Sequence, residues 1–209
     1  MMCSPTCSGS RLEIRLAAVL WRFLGQHEAH VAEAADVPRF DIVTTVPGTR
    51  QRDDDHPLVR IVGTLVGQTR GRYQPVLALG PDASVEGRAV LVNRYRATQA
   101  MTGHPSVLLV DDTWTTGGRA QSAAIALHDA GAASVAVVVL GRHFDRSFGS
   151  GETYYLSWAI LVRKSGGAVD GVEGLAQVVG DGVGGGDGLP SGLDLDGAVA
   201  AGCPDEFPG

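Results

Sequence analysis

The chain of 209 residues reads as an α/β domain, a largely parallel sheet with helices on its faces. Two stretches predict this. Val107–Val110 is an unbroken apolar run, the pattern of a strand buried on both faces of a parallel sheet. A Thr/Gly turn follows, then an Ala-rich helical segment from about Gly118 to Ala130 that stops at Gly131, then a second apolar strand, Ser134–Leu140. That order is a βαβ crossover, which is nearly always right-handed. Upstream, the same order of strand, loop and helix recurs between Phe40 and Val66.

In chain order, residues 1–10 are expected to be a flexible N-terminus and 11–164 to form the domain. Leu12, Leu16, Val19, Leu20 and Phe23 recur at helical spacing with Arg11, Arg15 and Arg22 opposite, so an amphipathic helix is expected there. Residues 26–38 are polar and Ala-rich; His27 and His30 have a spacing compatible with a metal and equally with two solvated side chains. Phe40–Val46 alternates and β-branches like a strand. The loop Pro47–Arg52 and the acidic Asp53–Asp55 lead to Pro57 at a first helical position, and Leu58, Ile61, Val62, Leu65 and Val66 form that helix's buried stripe. Val76–Leu79 and Ala89–Val92 read as short strands around the turn-rich Gly80–Gly87, and Asn93–Pro105 is polar. Beyond Leu140, Gly141–Phe144 carries charge towards the same sheet end, and Tyr154–Val162 is the one candidate for a further strand. Residues 165–209 hold 14 glycines and no apolar periodicity, which predicts a disordered acidic tail.

Charge narrows the function classes. The formal charge is −6, and all 17 Lys and Arg precede residue 165, whereas the tail contributes eight acidic side chains. This balance disfavours general nucleic-acid binding. The only lysine is Lys164, so cationic work at a site falls to arginine. Cys3, Cys7 and Cys203 have neither zinc-ribbon nor disulfide spacing, which fits a reducing cytoplasm, and no apolar stretch is long enough to span a bilayer.

The chemistry concentrates after Val110. Asp111 and Asp112 are adjacent carboxylates that can accept from two vicinal hydroxyls and help hold Mg²⁺. Thr113, Thr115, Thr116, Gly117, Gly118 and Arg119 offer hydroxyls, exposed N–H groups and a cation where a helix begins, the setting that favours phosphate. Val107–Arg119 resembles the phosphoribosyl-pyrophosphate (PRPP) motif of type I phosphoribosyltransferases, and the Arg…Thr…Gln pattern after Asn93 is similar to a shortened hood of their ComF-like branch. The resemblance implies a Rossmann-like sheet flanked by helices. Asp111 and Asp112 would hold the ribose hydroxyls, and Thr115–Gly118 the 5′-phosphate. It also implies that Val46, Pro47, Gly48, Thr49 and Arg50 form the loop that grips pyrophosphate, with Arg52 beside it, and that Mg²⁺ arrives with PRPP. The partners expected are PRPP and a nitrogen nucleophile; a homodimer is compatible with this. Arg119 departs from the family's usual Thr or Ser, so binding of PRPP or a nucleotide without turnover is a second reading. A phosphorylation-switched receiver domain is a third, disfavoured because the acidic strand lies mid-chain. Thr115 stands where 6-oxopurine salvage enzymes carry an Asp, which counts against such bases; orotate, adenine and amide nitrogen remain open.

Overall fold

The computed structural model describes residues 10–48, 56–87, 89–142, 159–164 and 176–179. Helix α1, Arg11–Ala34, opens on a capping box in which the Ser10 hydroxyl accepts from the Glu13 N–H at 3.3 Å and Glu13 accepts from the Ser10 N–H at 3.1 Å. It runs well past the stripe that ended at Phe23, because Leu24, Val31 and Ala32 continue the buried face. Leu12, expected on that face, is 65% exposed, since the first turn overhangs the core.

Strand β1, Ile42–Thr45, follows, then helix α2, Pro57–Arg60, with Pro57 in the first turn as expected. The helix widens into a π-turn over Ile61–Leu65, closed by the Val66 N–H on the Ile61 carbonyl at 3.0 Å, and a single turn α3, Gly67–Arg70, completes this layer. Leu58, Ile61, Val62 and Val66 are buried; Leu65 is only partly so. Arg72 ties the layer together: its guanidinium donates to Glu28 of α1 at 2.6 Å, to the Phe40 carbonyl at 2.9 Å and to the Gln68 carbonyl at 2.6 Å.

The main sheet has the order β1-β4-β5-β6-β7, with β4 Ser106–Trp114, β5 Ser134–Arg142, β6 Ala159–Lys164 and β7 Ala176–Val179. β1, β4 and β5 are parallel; β6 and β7 join antiparallel. β6 realises part of the strand expected at Tyr154–Val162; its first residues lie outside the described ones. Within 165–209, expected to be unstructured, Ala176–Val179 instead pairs with β6, whose open edge offers unpaired N–H and C=O groups to a β-branched segment.

A second correction concerns Ala89–Val92, which forms no strand. Val90 and Val92 are 42% and 56% exposed, and the partner of β2, Leu77–Leu79, is β3, Tyr95–Ala97, in the stretch taken as a polar hood. Tyr95 decides this register, because its ring buries beside Val76, Leu77 and Met101. α4, Gly118–Asp129, supplies the other helical layer.

The core is two-sided, as period-two strands require. Leu108, Val110, Ala136 and Val138 pack under α1 and α2, while Val107, Leu109, Val135, Val137 and Val139 pack under α4 and the β2–β3 hairpin. The molecule is therefore mixed α/β, with a three-stranded parallel centre flanked by helices. At the amino end of the sheet, the Ser106 N–H and hydroxyl both donate to the Asp41 carboxylate, at 2.9 and 2.8 Å, and hold that carboxyl below its ordinary range.

Candidate functional site

At the opposite, carboxyl end of the sheet, Thr45 of β1 lies beside Val110 of β4, and the Val46 N–H donates to the Val110 carbonyl at 3.0 Å. This bond sets the start of the first loop, Val46–Gly48, against the acidic pair. The ring of His56, which caps α2 by accepting the Leu58 N–H on Nδ1 at 3.3 Å, rests on Gly48.

The two carboxylates differ. Pairing of β4 with β5 continues to Trp114 and Arg142, so the acids lie within the strand; it is burial, not pairing, that ends here. Asp111 shares the face of Val107 and Leu109 and is 6% exposed, whereas Asp112 and Thr113 are exposed. Asp111 accepts the Asp112 N–H at 2.9 Å, yet burial, and secondly the adjacent Asp112 charge, push its carboxyl up to about 7.

Tyr95 joins the parts. Its buried phenol donates to the Pro47 carbonyl at 3.5 Å, and burial raises it to about 12. The charges of Arg119 of α4, of Asp111 and Asp112 of β4, and of Arg94 just ahead of β3 all act on the same phenol.

The Thr/Gly turn is shaped by packing. Thr115 and Thr116 are exposed, and Gly117 takes a left-handed φ of 78° at the helix start, where as the N-cap residue it has no side chain to cap the first N–H groups of α4. A Cβ on Gly117 would stand 2.3 Å from the Trp114 ring, which shows that the indole lies directly beneath the turn. Arg119, in the first turn of the helix, is exposed, and its charge reaches Asp111 and Tyr95.

The structure thus brings Val46, Pro47, Gly48, Asp111, Asp112, Thr113, Thr115, Thr116, Gly117, Gly118 and Arg119 to one end of the sheet. Thr49, Arg50, Arg52, His143 and Phe144 lie outside the described residues. Tyr95 and His56 were not singled out from sequence, and Arg94 entered only through the Arg…Thr…Gln pattern after Asn93, with no role of its own. On α1 the His27 and His30 rings are 5.9 Å apart, and among the described residues no group of three or more His, Cys, Asp or Glu side chains converges to hold a metal by itself. No known protein family and no curated protein matches the chain. Among the described residues no helix is long and apolar enough to cross a membrane.

Proposed function

We propose that the protein binds PRPP and transfers its phosphoribosyl group to a nitrogen nucleophile with release of pyrophosphate. The supporting observation is the placement of an exposed and a buried carboxylate, Asp112 and Asp111, at the carboxyl end of the central strand, one turn from a helix start whose N-cap is a glycine. Open α/β sheets bind ligands at that edge. In this reading the N–H groups of Gly118 and Arg119 and the hydroxyls of Thr115 and Thr116 receive the 5′-phosphate, and Asp111 and Asp112 accept from the ribose hydroxyls.

The donor set fits Mg²⁺ carried by PRPP, because two hard carboxylates suit a cation that keeps most of its ligands as water and phosphate oxygens. Bound there, the ion would offset charge on the departing pyrophosphate. In this reading the first loop, whose start Val46–Gly48 is held by Val110 and Tyr95, serves the C1 substituent. Catalysis is then mainly positioning and charge stabilisation as C1 acquires oxocarbenium character. Binding without turnover is a second reading, favoured by Arg119, an extra cation on the helix turn assigned to the phosphate.

The test is a pyrophosphate-release screen with Mg²⁺-PRPP across orotate, adenine and amide donors, beside direct titration of PRPP. Release with one acceptor supports transfer. Saturable PRPP binding without release from any acceptor supports the second reading, and absence of PRPP binding removes both.

A further inference from the structure

Arg94 is 2% exposed, and its Nε and Nη2 have no hydrogen-bond partner. Neither the Arg60–Glu13 nor the Arg72–Glu28 ion pair involves it. A guanidinium cannot discharge itself by losing a proton, so a buried and unpaired one is a standing cost to the fold. An oxyanionic partner bound beside Nε and Nη2 would remove this cost.

Its position points to where that partner binds. Gly80 and Leu91 hold the Arg94 backbone, by bonds of 2.8 Å to its carbonyl and 3.2 Å from its N–H. The Leu91 N–H donates in turn to Ser122 Oγ at 2.9 Å, and Ser122 Oγ to the Gly118 carbonyl at 2.7 Å. The turn bearing Arg94 is therefore fastened to the first turn of α4, and its charge acts on the Tyr95 phenol together with those of Arg119, Asp111 and Asp112. Nε and Nη2 are the two neighbouring donors on one edge of the guanidinium plane, spaced to meet two oxygens of a carboxylate or phosphate.

We propose that Arg94 is a ligand-binding residue whose Nε and Nη2 receive two oxygens of an oxyanionic group on the bound small molecule. This rests on the phosphoribosyl reading of the same site. The oxyanion can belong to a phosphate of the donor or to a carboxylate of the acceptor, and the probes below separate them.

The experiment compares the full-length parent with Arg94→Met and Arg94→Lys by calorimetric titration of ribose 5-phosphate, inorganic pyrophosphate, orotate and uracil, with thermal melts alongside. Arg94→Met is expected to melt at or above the parent, since methionine fills the space without a buried charge. It is also expected to lose about tenfold or more in affinity for one oxyanionic probe, the loss at one charge-assisted pair. Arg94→Lys should recover only part of that affinity, having charge without the fork. The probe that weakens names the source: ribose 5-phosphate or pyrophosphate for the donor, orotate with uracil unaffected for the acceptor. The proposal is overturned if no oxyanionic probe binds the parent, if parent and Arg94→Met bind all probes alike, or if Arg94→Met melts far below the parent while Arg94→Lys does not. Failure of the phosphoribosyl reading is seen separately, as ribose 5-phosphate binding that is absent or indifferent to Asp112→Asn.

Discussion

Asp111 and Asp112 are neighbours in sequence and opposites in environment, and the difference can be measured without any ligand. With the folded carboxyl of Asp111 at about 7 against an ordinary 3.8, unfolded chains ionise first as pH rises, so this group lowers stability progressively between those values and contributes nothing below the lower one. Asp111→Asn should therefore melt with the parent near pH 4 and above it at pH 8, as followed by circular dichroism. A constant difference across that range would show that burial does not govern this carboxyl. Gly117 makes a second test at this scale. Alanine there would meet both the left-handed φ of 78° and the Trp114 ring, so Gly117→Ala should cost roughly 1–3 kcal/mol and weaken phosphate binding. Serine at Thr115, an exposed position without such contacts, should leave the melt unchanged.

Among the elements, the most was legible where burial and period agreed. Val107–Val110 and Ser134–Leu140 announced two inner strands because no polar residue interrupts them, and Pro57 marked a helix start because its ring suits only that turn. What could not be read depended on a partner. Ala89–Val92 has strand composition but leaves Val90 and Val92 exposed, whereas Tyr95–Ala97 looks polar yet gains a burial site for its aromatic ring. Arg94 was illegible for a related reason, since an arginine in a polar run reads as solvated until the fold closes over it. Arg72 shows an element-level tie of the same kind, joining α1, α3 and the approach to β1 through one guanidinium. Arg72→Ala should destabilise by about 2–3 kcal/mol, the scale of bonds to a charged group, and Arg72→Lys by less. Urea unfolding of both variants checks the order; equal losses would mean that the fork carries the whole effect and that the alkyl chain and charge kept by lysine contribute nothing.

For the whole molecule, a three-stranded parallel centre covered on both faces carries one end closed by structural bonds and one that the proposed function assigns to a ligand. The Asp41–Ser106 exchange closes the amino end, and the acidic pair, the Thr/Gly turn and the first loop open the other. Hydrogen exchange should reflect this division: amides of Val107–Val110 and Val135–Leu140 are expected to be the slowest, and those of the exposed Glu86, Gly87, Ala89 and Val90 among the fastest. Protection spread evenly over both regions would contradict a core confined to the central strands. The most direct test of the site itself is calorimetric titration of Mg²⁺-PRPP into the parent and Asp112→Asn, with melts of both. Asn keeps the shape and one acceptor but loses the charge-assisted part of the bond, so affinity should fall about tenfold to a hundredfold while the melting temperature stays the same or rises. A variant that binds PRPP as tightly as the parent, or that melts far below it, would contradict the assignment of this acidic pair to the ribose.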